Sequence, residues 1–413
     1  MRASAPVPDA DPDAGAGAPP RRGRALEVLL AFLRLGLTSF GGPVAHLGYF
    51  RAEFVERRGW LDDRSYSDLV ALCQFLPGPA SSQVGMALGL SRAGWLGALM
   101  AWIGFTLPSA LALIAFAHGV ARWGEVAASG VVQGLKVAAV AVVAQAVWGM
   151  AKALCPDRVR AGLAIGAALL TLAVPSALGQ VGAIAGAGLI GWRLVKVPHQ
   201  QPVAHRGSGV SRGWAVAAST LFVALLAGLP LVAAASGSAT WALVDGFYRA
   251  GALVFGGGHV VLPLLQATVV PSGAVGSAEF LAGYGAAQAV PGPLFTFAAY
   301  LGAVAHGPLA GWVGGFVFLV VIFIPAFLLI VAALPFWDEL RQRDAVQSAM
   351  AGVNAGVVGI LLSALYDPVW TSAIHGRAAF GLALAAFGLL VHGRVSPVLV
   401  VAFAAAGGWL LLG

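Results

Sequence analysis

Residues 34–42 read R-L-G-L-T-S-F-G-G, and residues 249–257 read R-A-G-A-L-V-F-G-G. Three further pairs follow in the same order: Q-F-L-P-G-P at 74–79 with Q-A-V-P-G-P at 288–293, G-W-L-G at 94–97 with G-W-V-G at 311–314, and V-Q-G-L-K-V-A-A-V at 132–140 with M-A-G-V-N-A-G-V-V at 350–358. Because four blocks recur in one order, we interpret the chain as a duplication. Glycine and proline interrupt apolar segments in both copies, a pattern typical of transporters whose site lies between repeats.

The composition indicates a membrane protein. Hydrophobic residues make up 59% of the 413 residues and charged residues only 10%, with a mean hydropathy of +0.86. Apolar stretches such as 94–120 are long enough to span hydrocarbon. The two cysteines do not provide a disulfide framework or a metal site, and the basic residues are too scattered among apolar segments for nucleic-acid binding.

The blocks and two polar stretches divide the chain. We predict an all-α, polytopic membrane fold of two homologous repeats in inverted topology, with broken or re-entrant helices. The predicted units are a disordered cytoplasmic tail (1–24), a first repeat (25–192), a cytoplasmic linker (193–213), an extra transmembrane span (214–236) and a second repeat (237–413). A single extra span between the copies would turn the second copy upside down.

The distribution of positive charge supports this inversion. Residues 48–66 of the first copy hold four arginines, whereas the matching residues 263–280 hold no lysine or arginine. Two further loop pairs change their bias in the sense that inversion predicts: 151–160 against 367–377, and 119–127 against 335–344. Since cytoplasmic loops attract Lys and Arg, we place the N-terminus and the linker in the cytoplasm.

The interruptions are candidate anion sites. A helix N-terminus offers free N–H donors and about half a positive charge, and glycine lets a ligand approach the backbone. Proline suits the first turn of a restarting helix. The alternative is that the glycine pairs only let helices pack closely. The predicted residues at the interruptions are Phe40, Gly41, Gly42, Pro77, Gly78, Pro79, Phe255, Gly256, Gly257, Pro291, Gly292 and Pro293.

Polar residues near these interruptions complete the candidate site. Arg34 and Arg249 stand six residues before the phenylalanine of each F-G-G. An arginine inside an apolar segment normally faces a bundle interior or a water-filled cavity, although snorkelling to the interface is an alternative. Two glutamines, Gln74 and Gln288, precede the P-G-P motifs and could donate to an oxyanion, although hydrogen bonding to other helices is an equal alternative. The last pair is a lysine, Lys136, matched by an amide, Asn354.

Two acids, Glu53 and Asp245, are candidates for proton coupling. For Glu53 the favoured alternative is a solvated face beside Arg51 and Arg57.

The paired F-G-G, P-G-P and G-W-x-G…P blocks resemble those of long, two-domain members of the chromate transporter (CHR) family, over residues 24–366. The second copy departs at Gly258, where the first has Pro43. The resemblance implies a protein of the bacterial inner membrane, with oppositely oriented halves, that exports chromate from the cytoplasm and confers chromate resistance.

The resemblance leaves the driving force open between the membrane potential and a proton gradient. Transport or exchange of sulfate or another oxyanion is an alternative, and a membrane-embedded enzyme is a third reading without clustered catalytic residues to support it. The expected partners are chromate, or sulfate, and the lipid bilayer, with a homodimer as an open option. No cofactor or metal is expected.

The inversion can be tested with reporter fusions. A fusion after Arg58 should report the cytoplasm and one after Ser272 the periplasm, because the two positions lie in matching segments of opposite charge bias. Phosphatase and fluorescence activities of the two fusions measure the side directly. If both fusions report the same side, the copies are not inverted.

Overall fold

The computed structural model describes residues 21–39, 42–122, 130–175, 177–196, 210–255, 260–307, 309–337 and 343–412. Throughout these residues the regular structure is helical, which confirms the all-α class. Four predicted site residues, Phe40, Gly41, Gly256 and Gly257, lie outside them, as do residues 1–20 of the predicted tail and 197–209 of the linker.

Among the described residues, the first copy and the span that follows it contain eight α-helices, with a π-helical segment, Arg51–Arg57, after the second. They are α1 (Arg21–Thr38), α2 (Gly42–Phe50), α3 (Asp63–Phe75), α4 (Ala80–Arg122), α5 (Gly130–Leu154), α6 (Arg158–Ala173), α7 (Ala177–Leu194) and α8 (Arg212–Ser236). Helix α1 begins inside the segment predicted as a tail. Helix α8 matches the predicted extra span.

The second copy repeats the first, helix for helix. Its members are α9 (Ala239–Ala252), α10 (Val261–Val269), α11 (Ser277–Ala289), α12 (Phe297–Val304), α13 (Gly311–Ala333), α14 (Asp344–Ala364), α15 (Arg377–Val391) and α16 (Pro397–Leu411). Helices α12 and α13 together correspond to α4, which is itself interrupted at Ala93 and Gly94. Duplication therefore extends from the motifs to the whole order of elements.

Both P-G-P motifs break a helix, as predicted. Helix α3 ends at Phe75 and α4 restarts at Ala80, while α11 ends at Ala289 and a 3₁₀ turn restarts at Leu294. The residues before the first prolines, Leu76 and Val290, are extended. A following proline disfavours the helical conformation of the residue before it, so the sequence ends each incoming helix locally.

Five helices of the described chain are long and apolar enough to cross a membrane: Ala80–Gly119, Gly130–Leu154, Arg212–Ser236, Gly311–Phe336 and Asp344–Asp367. Three others are apolar but shorter, Leu294–Val304, Arg377–Val391 and Pro397–Leu411. The apolar helices of the described chain thus divide into five of full length and three shorter ones.

One helix of each copy packs on the last two helices of the other copy. Helix α5 of the first copy packs on α15 and α16 of the second, and α14 of the second copy packs on α6 and α7 of the first. Close contact depends on glycine: a Cβ on Gly134 would overlap the carbonyl oxygen of Ala404, and a Cβ on its equivalent, Gly352, would overlap that of Ala187. The two sets of contacts are equivalent, so each copy packs on the other in the same way. Their inverted orientation stays a prediction.

A cluster of charged side chains joins α1, the turn after α2 and the bend of α4. Glu27 pairs with Arg58 at 3.3 Å and with Arg92 at 3.0 Å, and both guanidinium groups lie over the ring of Trp60. Stacking on an aromatic face favours arginine over lysine at such places. The cluster ties the start of the first copy to its longest helix.

Glu53 belongs to the same cluster and is buried, not solvated. Desolvation raises the pKa of its carboxyl group, but hydrogen bonds from Arg57 and Arg58 outweigh that effect and hold the pKa below its usual value. A carboxylate held ionised by two arginines is unsuited to carry a coupled proton. The alternative of a solvated face is also wrong, because the Glu53 side chain is buried in ion pairs with Arg57 and Arg58.

The helix crossing can be tested at Gly134. Gly134→Ala should lower the melting temperature of the purified protein in detergent, because overpacking costs about 1–3 kcal/mol and the overlapping atom belongs to the backbone. Gly149→Ala on the same helix is the control, since a Cβ there meets nothing within 4 Å. Equal melting temperatures for the two variants would contradict the crossing.

Candidate functional site

The P-G-P motif of each copy contacts the segment just before F-G-G in the other copy. The N–H of Gly78, in the first P-G-P, donates to the carbonyl oxygen of Val254 at 2.6 Å. The N–H of Gly292, in the second P-G-P, donates to the carbonyl oxygen of Ser39 at 2.9 Å. Ser39 and Val254 are matching residues, each just before F-G-G. Every P-G-P described is therefore tied to the F-G-G region of the other copy.

Glycine is required at the centre of both P-G-P motifs. Gly78 and Gly292 have φ values of 119° and 102°, a region that other residues rarely adopt. A Cβ on Gly292 would lie 2.8 Å from Oγ of Ser109, and one on Gly78 would lie 3.3 Å from Cβ of Ala326. Ser109 and Ala326 each follow the proline inside α4 or α13. Both the conformation and the contact thus exclude a side chain.

Each break leaves helix N-termini beside the crossing. The first backbone N–H groups of a helix have no partner within it, and their partial positive charge favours anions. The restart after Pro79 belongs to the half-helix 80–92 of α4, and the restart after Pro293 leads into α12. Two donor groups of this kind, one from each copy, suit an oxyanion better than a cation.

A cavity of about 60 Å³ lies at the crossing of the first F-G-G and the second P-G-P. Its walls include Gly42, Pro43, Gln145, Gln288 and Gly292. A single water molecule needs about 10–15 Å³ measured in this way, so the cavity has room for a larger group. Three residues predicted from sequence, Gly42, Gln288 and Gly292, therefore line one space.

Gln288 brings a buried, unused hydrogen-bond donor to this cavity. Its Nε2 atom is buried and has no hydrogen-bond partner. Leaving a buried amide N–H unpaired costs about 1–3 kcal/mol. A ligand that accepts a hydrogen bond would remove that cost. The corresponding Gln74 of the first copy is exposed.

Other predicted residues occupy different environments. Lys136 is half-buried on α5, the helix that supplies Val142 and Gln145 to the cavity, and it makes no ion pair within the described chain. The Oδ1 atom of its counterpart Asn354 is buried and unpartnered. Phe255 is partly buried against the main core. The prolines of the two breaks flank the crossing: Pro77, Pro79, Pro291 and Pro293.

The two matching arginines differ. Nη2 of Arg249 donates to both carboxylate oxygens of Asp245, at 2.8 and 2.6 Å, so its charge is balanced one helical turn away. Arg34 is exposed, and Leu30 occupies the position that matches Asp245. Neither arginine is placed at the cavity, and Asp245 is engaged in an ion pair.

The sequence analysis missed a group of buried polar residues in the first copy. They are Ser39, His46, Ser81, Ser82, Gln83 and Thr106, all at most 3% exposed. Gln83, four residues after P-G-P, donates to the carbonyl oxygen of Pro77 at 2.9 Å. These residues were missed because the search followed what both copies share, and the second copy has no equivalents for most of them.

Among the described residues, no three His, Cys, Asp or Glu side chains converge as metal ligands. Cys73 and Cys155 are free thiols, the first of them buried.

Comparison with known proteins identifies the family. The family described as Chromate transporter matches residues 26–192 and again residues 241–409. The chain belongs to the chromate transporter family. Both family domains coincide with the helical repeats of the fold, and the gap between them contains the linker and α8.

Curated relatives extend over most of the chain. The chromate transport protein of Pseudomonas aeruginosa is 28% identical over 408 residues, covering 93% of this chain and 92% of the relative. The chromate transport protein of Cupriavidus metallidurans is 26% identical, covering 92% and 91%. A probable chromate transport protein of Synechococcus elongatus is 28% identical, covering 81% and 82%. No solved structure was found to match the chain.

The cavity can be tested through its glutamine. Gln288→Leu should weaken oxyanion binding about ten- to a hundredfold, since a hydrogen bond to a charged group contributes about 1.5–3 kcal/mol. Its melting temperature should not fall, because the lost N–H groups have no protein partner. Equilibrium dialysis of the purified protein against chromate measures the dissociation constant.

The matched control is Gln74→Leu, the same change at the equivalent, exposed position of the first copy. It should leave binding unchanged. Equal binding by both variants would contradict a role for Gln288 in the cavity.

Proposed function

We propose that this protein is a secondary transporter that exports chromate from the cytoplasm across the bacterial inner membrane and so confers chromate resistance. The supporting observation is the match of the family to both repeats, together with a cavity bounded by a broken motif of each copy. Relatives named as chromate transport proteins cover nearly the whole chain. The charge distribution of the loops supports a cytoplasmic N-terminus as part of this proposal.

The chemistry of the cavity fits a tetrahedral dianion. Chromate accepts hydrogen bonds on all four oxygens, and the cavity offers the Nε2 group of Gln288 beside backbone that carries no side chain at Gly42 and Gly292. Helix N-termini provide partial positive charge. Lys136, a half-buried cation without an ion pair in the described chain, is the candidate for full charge.

The membrane potential is sufficient as a driving force. Moving one charge across 100 mV releases about 2.3 kcal/mol, so a dianion leaving a negative-inside cell releases about 4.6 kcal/mol by the same relation. No acid is among the described residues that line the cavity. The two acids predicted for proton coupling, Glu53 and Asp245, are both engaged with arginines. A proton gradient remains an additional option for the driving force.

Sulfate is the second candidate substrate. It has the charge and shape of chromate, so the same donors would bind it. Hydrogen-bond geometry alone does not discriminate between the two ions. Competition between sulfate and chromate measures which ion the site prefers. A membrane-embedded enzyme is a weaker alternative, because family membership favours transport.

The function is tested by chromate retention in cells that express the chain. We expect retention below that of the empty vector, a return to the vector level with an uncoupler, and partial competition by excess sulfate if the site accepts both ions. Retention equal to the vector, with membrane insertion verified, would contradict chromate export and would direct the search to another oxyanion.

A matched pair of lysine variants tests the charge. Lys136→Met should abolish most of the export, because it removes a half-buried cation. Lys152→Met on the same helix should have little effect, because Lys152 lies over the exposed ring of Trp148 near the helix end. Equal export by both variants would remove Lys136 from the site.

A further inference from the structure

Five buried polar residues of the first copy have apolar counterparts in the second, while the sixth, Ser82, matches Thr296, whose hydroxyl group donates to the carbonyl oxygen of Pro293 at 2.8 Å. Ser39 matches Val254, His46 matches Val261, and Ser81 matches Phe295. Gln83 and Thr106 match phenylalanines, Phe297 and Phe323. All of these second-copy residues are buried. The fold therefore accepts apolar side chains at these positions, and the polar ones are not needed to build it.

Most of these polar groups lack protein partners. The unpartnered buried atoms are Oγ of Ser39, Nε2 of His46, Oγ of Ser82, Oε1 of Gln83 and Oγ1 of Thr106. Each such group costs about 1–3 kcal/mol when it is left unpaired. Native proteins contain few of them, so several in one region require an explanation outside the protein's own hydrogen bonds.

Contacts bring His46 and Ser81 together, and Ser39 lies at the crossing. Nδ1 of His46 lies 3.3 Å from Oγ of Ser81, and its ring meets that of Phe105 edge-on at 5.2 Å. Phe105 precedes Thr106. The carbonyl oxygen of Ser39 accepts the N–H of Gly292, which brings the second P-G-P against this group.

Part of this group lies at a helix N-terminus, which His46 contacts through Ser81. Ser81 and Ser82 lie in the first turn of the half-helix 80–92, which restarts after Pro79. The first intrahelical bond there runs from Gln83 N–H to the carbonyl oxygen of Pro79, so the preceding N–H groups remain available. Free backbone donors, hydroxyl groups and an imidazole are the groups that bind oxyanions without water.

We propose that Ser39, His46, Ser82 and the N-terminus of the half-helix 80–92 form a second oxyanion subsite, enclosed in the first copy and adjoining the Gln288 cavity across the Ser39–Gly292 bond. This inference rests on the proposed oxyanion transport. The subsite takes a tetrahedral divalent oxyanion stripped of water. The second copy has no equivalent, because it has valine in place of Ser39 and of His46, and the hydroxyl group of its Thr296 is already bonded to Pro293. Binding is therefore asymmetric between the two copies.

Single-atom deletions test the subsite in the full-length protein. Ser39→Ala and Ser82→Ala each remove a buried hydroxyl group that has no partner. Each should raise the chromate dissociation constant about ten- to a hundredfold, measured by equilibrium dialysis, and slow chromate uptake into everted vesicles. Melting temperatures should hold or rise, because an unpaired buried group is removed. If instead binding and uptake are unchanged in both variants, the subsite is overturned.

Thr171→Val is the control for changing a buried hydroxyl group. Thr171 is hydrogen-bonded to Ser363 at 2.8 Å where α6 packs on α14. This variant should lose stability and keep its affinity for chromate, the opposite of the subsite variants. Loss of stability without loss of affinity in Ser39→Ala and Ser82→Ala would assign those hydroxyl groups a structural role and overturn the proposal.

The wild-type protein separates failure of this inference from failure of the proposed function. If wild type binds neither chromate nor sulfate, oxyanion transport is wrong and the subsite is wrong with it. If wild type binds sulfate alone, the variants are measured with sulfate and the same criteria apply. If wild type binds and transports chromate while both serine variants match it, the proposed function stands and only the subsite is wrong.

Discussion

The structure depends on two backbone hydrogen bonds that join the copies, from Gly78 to Val254 and from Gly292 to Ser39. A helix broken within a membrane exposes backbone groups that lipid cannot satisfy, so such breaks persist only where protein or water covers them. Here each P-G-P break donates one N–H to the segment before F-G-G of the other copy. Glycine with positive φ is the residue that permits this approach.

Helix packing between the copies adds to the dependence of each copy on the other. Helix α5 packs on the last two helices of the second copy, and α14 packs on the last two of the first. Lipid provides little hydrophobic drive for association, so close packing of small residues has to hold the helices together. Glycines at 134 and 352 permit that contact on both sides. Neither copy is therefore a separate folding unit in the sense that the sequence division into repeats implies.

Symmetry of the backbone coexists with asymmetry of the side chains. The first copy buries serines, a histidine and a glutamine where the second copy buries valine and phenylalanine. Gln74 is exposed, whereas Gln288 is half-buried with an unpaired donor. Arg249 has an acid one turn away, and Arg34 has none. Repeats that build one site between them in a transporter need not contribute the same groups to it. The duplicated backbone supplies the frame, and unequal side chains supply the chemistry.

Sequence alone determined the duplication, the helical class, the family and the positions of both P-G-P breaks, because proline and glycine act through local backbone geometry. It also selected Gly42, Gln288 and Gly292, which line one cavity. Tertiary structure decided which motifs meet, since the pairing of P-G-P with the other copy's F-G-G joins residues far apart in sequence. It also decided that Gln83, after the first P-G-P, is buried while Gln74, before it, is exposed. The directions of the two helices that meet at a break depend on packing. The polar group around His46 emerged only from the fold, since ordinary serines become notable when burial leaves them unpaired.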